Sequence, residues 1–462
     1  MGQAFDAIVI GTGQAGPALA ARLVAAGQKV AVIERGHFGG TCVNTGCIPT
    51  KALVASAHSA QSARRAGDYG VALSGGIAVD MKQVKARKDR ISGESRESVE
   101  KWMAGLDRGR VIRGHARFTG PRSVEVNGET LTAERLFINV GARPLVPDLP
   151  GLEDVPCFTS STIMDVDFLP EHLVIIGGSY IGLEFGQMYH RFGSRVTIVE
   201  KGPRLIGRED PDVSDAVRGI LENEGVRMEL GADCLAFERR SGGVAVKVHC
   251  GEGGREVVGS HVLLAIGRVP NTADLGLDKA GIRTDARGYI EVDDQLATSA
   301  EGVWALGDCN GRGAFTHTSY NDHEIVADNL LKGDSRRVTD RITAYGLFID
   351  PPLGRVGMTE DEIRRSGRPA LVGKRPMTRV GRAVEKGETQ GFMKIAVDAQ
   401  SGQILGAAIL GIGGDESVHC LMDAMYAKAH YQVVQRAVHI HPTVSELLPT
   451  VLGELKPLEG TA

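Results

Sequence analysis

The chain is predicted to be an α/β protein with two Rossmann-like βαβ units followed by an α+β unit. Three observations lead there. A strand, a glycine loop, a helix and a second strand ending in an acid occur twice, in the same order. Two cysteines separated by four residues follow the first of these units, in Gly39-Gly40-Thr41-Cys42-Val43-Asn44-Thr45-Gly46-Cys47-Ile48-Pro49-Thr50-Lys51. From about Thr343 onward no such loop recurs, and strand-like stretches (Phe392 to Val397, Ile404 to Ile412) alternate with an Ala/Met-rich helix near Val418 to Ala429.

Composition sets the frame. With 462 residues the chain is too long for one core and is expected to split into three or four units. A hydrophobic content of 42% and a charged content of 24% are ordinary for a globular protein. The net charge of −4 weighs against nucleic acid or a membrane surface as a partner. Seven cysteines, an odd and sparse count, weigh against a secreted disulfide scaffold. The chain opens almost directly on a strand, Asp6 to Ile10, without a basic leader or apolar signal segment. Asp6 also stands where a myristoylation signal needs Ser or Thr. No apolar run reaches membrane-spanning length, so a cytoplasmic location is expected.

The first unit is the strand Asp6 to Ile10, the loop Gly11-Thr12-Gly13-Gln14-Ala15-Gly16, a helix to about Ala26, and the strand Lys29 to Ile33 ending in Glu34. Gly11 makes the turn, Gly13 lets a pyrophosphate approach the backbone, and Gly16 lets the helix pack on the strand. The phosphates rest on the helix N-terminus, and Glu34 is placed for the ribose hydroxyls. The second unit repeats this plan. Strand His172 to Ile176 leads into Gly177-Gly178-Ser179-Tyr180-Ile181-Gly182, a helix to about Phe192, and the strand Arg195 to Val199 ending in Glu200. Ser179 replaces the central glycine, so this cradle is either slightly wider or supplies a hydroxyl to a phosphate. Two cradles imply two dinucleotides, and a dithiol beside the first points to a flavin plus a nicotinamide.

The cysteine run has its own logic. In a regular helix, residues five apart have Cα atoms roughly 8.6 Å apart, beyond the about 7 Å limit for a disulfide. Cys42 and Cys47 can therefore bridge only across irregular backbone, which Gly46 and the Gly39-Gly40 pair permit. Pro49 is tolerated only in a first helical turn, so a helix is expected to begin near Cys47. A thiolate at that positive helix end has a lowered pKa. Lys51 lies one turn on, on the same face.

Pro144 to Pro156 is rich in Pro and Gly and looks like a linker. The expected units are therefore 1–150, 151–270, a central segment 271–342, and 343–462. The second unit ends near Ala265-Ile266-Gly267-Arg268-Val269-Pro270-Asn271, and Val303 to Leu306 forms a buried strand closing on Gly307-Asp308. An Asp there can take sugar hydroxyls. Near the C-terminus, His439-Ile440-His441-Pro442-Thr443-Val444-Ser445-Glu446 places a carboxylate five residues after a histidine, a base-and-orienter arrangement. His439 and Tyr431 are taken as structural. Cys157, Cys234, Cys250, Cys309 and Cys420 are expected to be small buried hydrophobes. No residue set is assigned to a metal.

These residues together resemble the flavoprotein disulfide reductases of the pyridine-nucleotide family over the whole chain. The matching parts are the first cradle, the Cys42–Cys47 run through Lys51, and the second cradle with Leu183-Glu184. Ile266-Gly267-Arg268, Leu306-Gly307-Asp308 and His441-Pro442-Thr443 complete the match. The resemblance implies FAD in the first cradle, with Thr41 and Gly141 in its set and Asp308 on the ribitol. It implies NADH or NADPH in the second, with Gly267 nearby. Cys42 would exchange with the acceptor and Cys47 would contact the flavin. Lys51 would sit near flavin N5, paired with Glu184. The last unit would form a homodimer interface, with His441 donated by the partner subunit and oriented by Glu446. From its charge and position, Glu200 is expected to favour NADH over NADPH.

Three branches of the family compete, and the expected enzyme is mercuric-reductase-like or lipoamide-dehydrogenase-like. Dihydrolipoamide dehydrogenases share the His-x-His-Pro-Thr-x-Ser-Glu ending. Mercuric reductases share Cys-Val-Asn-x-Gly-Cys, but typically carry a C-terminal vicinal cysteine pair. This sequence has no cysteine after Cys420, which weighs against mercury delivery. Phe315-Thr316-His317-Thr318-Ser319 and Pro351 to Glu360 look closer to the reactive-chlorine-induced flavoproteins that reduce copper, the alternative reading. A non-catalytic redox-sensing flavoprotein is the remaining alternative, and the His441–Glu446 pair argues for turnover instead.

Overall fold

The computed structural model describes residues 3–249 and 254–461. The first sheet grows from β1 (Gln3–Ile10), whose buried Ile8, Val9 and Ile10 lie between two layers of structure. It is followed by α1 (Gly16–Ala25) and β2 (Val30–Glu34). Then come α2 (Gly40–Asn44), α3 (Cys47–Arg64) and α4 (Met81–Ala104). Strands β3 (Gly109–Arg113), β4 (Arg117–Gly120), β5 (Ser123–Val126) and β6 (Glu129–Ile138) complete the main path. Their order is β3-β2-β1-β6-β5-β4. β1 runs parallel to both β2 and β6, as a right-handed βαβ crossover requires.

The chain leaves this sheet through β7 (Ala142–Pro144). It then builds a second parallel sheet from β8 (Cys157–Thr159), β9 (His172–Ile176), α5 (Tyr180–Phe192), β10 (Arg195–Glu200), α6 (Pro211–Glu224) and β11 (Arg227–Leu230). A three-stranded antiparallel meander follows: β12 (Ala236–Arg240), β13 (Gly243–Lys247) and β14 (Glu256–Gly259). β15 (His261–Leu264) then closes the second sheet in the order β11-β10-β9-β15-β8. β16 (Arg268–Pro270) pairs antiparallel with β7, so the two crossings between the sheets form one ribbon. β17 (Val303–Ala305) returns to pair with β6, and α7 (Thr316–Lys332) follows it.

The remaining chain forms an antiparallel sheet of β18 (Ala344–Leu347), β19 (Leu353–Gly357), β20 (Ala370–Pro376), β21 (Phe392–Asp398), β22 (Ile404–Leu410) and β23 (Lys456–Pro457). Short helices cover it, and their buried Leu421, Leu448 and Val451 join its core. The helix expected near Val418 to Ala429 spans His419–Tyr426. Among the described residues no helix is long and apolar enough to cross a membrane.

Two expectations for the remaining cysteines need correction. Cys309 is buried and Cys157 half-buried, and burial pushes their thiols up to about 12 and about 11. Cys420, however, is exposed, because it lies on the outer side of its helix, and Cys234 is disulfide-bonded. Cys250 lies outside the described residues.

Candidate active site

The two cysteines stand on two helices, because the chain stops one and starts another between them. α2 carries Cys42 and ends at Asn44, and α3 begins at Cys47. The break depends on Gly46 for space rather than for a left-handed backbone. Its φ is −126°, and a Cβ there would lie 2.8 Å from the Thr41 carbonyl oxygen. Pro49 falls in the first turn of α3, where no intrahelical N–H is needed.

Cys47 Sγ lies 3.1 Å from Thr316 Oγ1, at the start of α7. Its pKa falls to about 6, first because Cys42 donates a hydrogen bond to it. Burial opposes that fall, while Thr316 and Lys51 support it. Cys42 moves the other way: its thiol is raised by its bond to Cys47, and burial adds to the rise. The helix start, Thr316 and Lys51 all lie on the Cys47 side and favour negative charge there, as expected of a stabilised thiolate beside an exchange thiol.

Lys51 Nζ is 2.7 Å from Glu184 Oε2 and 4.4 Å from the centre of the Phe348 ring. The second Glu184 oxygen accepts the Phe348 backbone N–H at 3.0 Å. One ion pair therefore ties α3 of the first unit to α5 of the second and to the loop after β18.

The cradles share a construction. In the first, Glu34 accepts from Thr12 N and Oγ1 at 2.8 and 2.7 Å and from Gly36 N at 2.7 Å. In the second, Glu200 accepts from Gly178 N at 2.6 Å and Gly202 N at 2.7 Å. A Cβ on Gly11 would lie 2.2 Å from Asn139 O, and one on Gly177 would lie 2.4 Å from Ala265 O. Gly16 and Gly182 are pressed equally hard against the carbonyls of Gly11 and Gly177. Ser179 starts α5 without a side-chain cap bond, which leaves its hydroxyl facing the cavity.

One residue sets the cradles apart. Asn139, buried at the end of β6, accepts from Gly16 N at 3.0 Å and donates to Leu306 O at 3.0 Å. Its Oδ1 would lie 3.0 Å from a Cβ on Gly13. Asn139 therefore staples the first glycine loop to the Gly307-Asp308 turn, and in the second cradle the corresponding strand end is Ala265. Asp322 braces the same turn by accepting from Gly307 N at 2.7 Å and Asn310 Nδ2 at 3.1 Å. Asp308 faces the cavity with Arg268 Nε at 3.7 Å, and burial raises its pKa against the pull of Arg268. Arg268 also reaches Thr41 Oγ1 at 3.3 Å, while its buried Nε has no hydrogen-bond partner.

Both cradles, both cysteines and Asp308 line one cavity of about 2300 Å³. Gly141 and Gly267 line it too. A Cβ at either would meet no protein atom within 4 Å and would project into that space. These features fit a flavin and a nicotinamide dinucleotide meeting at the dithiol. On the nicotinamide side the wall is aromatic: Tyr180, Phe315 and Tyr345 pack with ring centres 5.4 to 6.1 Å apart. Tyr345 donates to Glu209 at 2.7 Å, and Glu209 is paired with the buried Arg355. Nearby, Asp210, Asp212 and Glu360 converge, but Lys394 Nζ sits 2.8, 2.7 and 2.8 Å from them, and Arg355 and Lys374 pair with Asp210 and Asp212 at 3.1 and 2.6 Å, so the group is matched by three cations.

His441 and Glu446 find each other, with Nδ1 2.9 Å from Oε2, and the imidazole is 79% exposed. The described residues lining the cavity do not include either. Sequence reasoning missed Asn139, Tyr180 and Tyr345, and it assigned no role to Thr316 or Arg268. The last two lay in quoted motifs. Asn139 carries no local signal, because its partners are over a hundred residues away.

Residues 5–322 match the family model for pyridine nucleotide-disulphide oxidoreductase, and residues 343–452 match the dimerisation domain of the same family. A probable pyridine nucleotide-disulfide oxidoreductase, RclA of Escherichia coli, is 35% identical and covers 98% of this chain and 99% of its own. A dihydrolipoyl dehydrogenase of Thermus scotoductus is 35% identical, over 96% of this chain and 95% of its own length. A mercuric reductase of Lysinibacillus sphaericus is 32% identical, over 99% and 81%. The solved Cu(II) complex of the HOCl-induced flavoprotein disulfide reductase RclA from Escherichia coli superposes with a TM-score of 0.89. It is 34% identical and covers 98% of this chain and 99% of that one.

Proposed function

This chain belongs to the pyridine nucleotide-disulphide oxidoreductase family, and on that premise we propose that Cys42 and Cys47 are its redox pair. The family is FAD-dependent and uses NAD(P)H, and its dimerisation domain indicates a homodimer. A bound FAD would supply two-electron transfer between the reduced nicotinamide and the disulfide. The chain's own residues do the rest.

Gly11, Gly13 and Gly16 hold the flavin dinucleotide, with Glu34 on the ribose and Asp308, Thr41 and Gly141 along the flavin. Gly177, Gly182 and Gly267 hold the nicotinamide dinucleotide, with Glu200 on its ribose. Lys51, fixed by Glu184, sets a positive charge beside Cys47. Cys47 is the thiolate that stays in the site, and Cys42 is the thiol that delivers reducing equivalents to the acceptor. His441, supplied by the partner subunit and oriented by Glu446, moves the proton for a disulfide acceptor.

The placement that carries this reading is both cysteines in one cavity with the two glycine cradles, Cys47 at the start of α3 with Thr316 Oγ1 3.1 Å from its sulfur. The acceptor is a small disulfide of the lipoamide type or a metal ion. The close likeness to a copper-complexed relative favours Cu(II) as the metal. Work in the cytoplasm belongs to the same proposal. The test is steady-state turnover with lipoamide, glutathione disulfide, Hg(II) and Cu(II), each with NADH and with NADPH, in the unmodified enzyme and in Cys42→Ser. An acceptor whose reduction survives Cys42→Ser unchanged does not use this pair.

A further inference from the structure

We propose that Thr316 is a further catalytic residue of the dithiol, its hydroxyl donating to the Cys47 sulfur whenever that sulfur carries the negative charge. The inference rests on the reading of Cys42 and Cys47 as the redox pair. Reducing the disulfide takes two electrons, supplied by the reduced nicotinamide, and one proton. The S–S bond breaks, Cys42 keeps the proton as a thiol, and Cys47 remains as a thiolate. Any group that stabilises charge on Cys47 makes it the better leaving group and leaves Cys42 free to exchange.

Thr316 Oγ1 stands 3.1 Å from Cys47 Sγ, within reach of a hydrogen bond to sulfur. A hydroxyl donates and accepts by rotating about one bond. It can therefore accept a hydrogen bond from a Cys47 thiol and donate one to the thiolate without moving a heavy atom. Burial opposes ionisation of Cys47, and Thr316 is among the contacts that outweigh it. A bond to an ionised sulfur is worth more than the same bond to a neutral group.

The backbone that presents this hydroxyl is held on both sides. Phe315, just before it, donates from its backbone N–H to Thr318 Oγ1 at 3.2 Å, and that hydroxyl donates to Phe315 O at 2.8 Å. The Phe315 ring stacks on His317 and Tyr345 at 5.4 and 5.7 Å. Threonine is β-branched and stiff at χ1, so the hydroxyl direction is restricted as well. Thr316 is the first residue of the 17-residue α7, and Cys47 the first of the 18-residue α3. The positive ends of two long helices thus converge on one sulfur. Lys51 is already engaged by Glu184, so the neutral hydroxyl supplies stabilisation that its ammonium shares with a carboxylate.

The experiment uses FAD-loaded enzyme in a Cys42→Ser background, where Cys47 is the remaining thiol of the pair. Its apparent pKa is read from the pH dependence of the thiolate–flavin absorbance at long wavelength. It is read independently from the rate of Cys47 alkylation by iodoacetamide, followed by peptide mass. Adding Thr316→Val should raise the pKa by about 1 to 2 units, the weight of one hydrogen bond to a charged group. Adding Thr316→Ser instead should restore it. The alkylation readout needs no flavin, so a valine variant that loses FAD is scored against an apoprotein control. A valine variant whose pKa stays within about 0.3 unit of its parent overturns the proposal. The pair itself is checked separately: if NADH generates no new thiols at Cys42 and Cys47 in the unmodified enzyme, the underlying reading falls.

Discussion

Replacing Asn139 by Ala removes a buried side chain that joins the first glycine loop to the Asp308 turn. Two buried hydrogen bonds disappear, each 3.0 Å long. Gly16 N keeps a weaker bond to Gly13 O at 3.2 Å, and Leu306 O keeps a contact from the Cys309 thiol at 3.3 Å. Neither group is left wholly unpaired, so the loss is near the net worth of two hydrogen bonds, about 1–3 kcal/mol. The Gly13 and Gly307 backbones also lose the side chain they pack against. If that energy holds the two loops at the spacing FAD needs, the FAD dissociation constant should rise about 5- to 150-fold. Asn139→Asp makes the sharper comparison. It keeps the acceptor for Gly16 N but sets a buried anion against Leu306 O and near the bound pyrophosphate, so it should hold FAD less tightly than Asn139→Ala. Fluorescence titration of apoprotein with FAD, alongside urea unfolding, gives both affinities and both stabilities. An Asn139→Ala variant that binds FAD within twofold of the unmodified protein would refute the reasoning.

Three other outcomes are expected. His441→Gln should leave flavin reduction by nicotinamide nearly intact and slow disulfide reduction about 10²- to 10⁴-fold; equal losses in both half-reactions, by stopped flow, would make the histidine structural. The enzyme should prefer NADH in kcat/KM, and Glu200→Ala should narrow the preference, because a 2′-phosphate about 4 Å from that carboxylate meets a repulsion of roughly 4 kcal/mol before screening; a native preference for NADPH would contradict this. Burial raises the Asp350 carboxyl, but His58 and Arg191 outweigh it and hold its pKa near 2 against an ordinary 3.8. Its folded value lies below its unfolded one, so its stabilisation is complete above about pH 4 and fades as pH falls toward 2. That contribution amounts to about 2 kcal/mol, and Asp350→Asn should flatten the acid limb of the unfolding curve; an unchanged limb would show the pair contributes nothing.

What could be read in the sequence was local. The strand Asp6 to Ile10, the turn at Gly11, the helix after Gly16 and the acid at Glu34 all lie within one βαβ unit, where spacing and glycine sterics fix the geometry. Glu200 followed from the same rule. The helix start at Cys47 followed from Pro49, which can sit only in a first turn. The β12–β14 meander and α4 were not foreseen, although Asp80 caps α4, Gly105 ends it, and Gly242 turns the chain between β12 and β13. Exposed Cys420 and disulfide-bonded Cys234 broke the expectation of buried thiols, because a cysteine's surroundings depend on which face of the fold it reaches.

The amino-acid sequence by itself determined the two cradles, the dithiol with its helix start, and the family they belong to, because each is written within some forty consecutive residues. The tertiary structure alone decided which distant groups complete the site. Thr316 reaches Cys47 and Asn139 joins Gly16 to Leu306 only once the sheets have paired, and the Lys51–Glu184 pair that the family resemblance implied closes with them. It also left His441 exposed, with Glu446 half-buried beside it, and neither lines the cavity of their own chain's cysteines. The physical reason is the range of the forces. Helix starts and glycine turns are set by backbone sterics between near neighbours. A hydrogen bond or ion pair between residues 100 or more apart forms only after burial of the core has brought them together, and no period or spacing in the sequence records it.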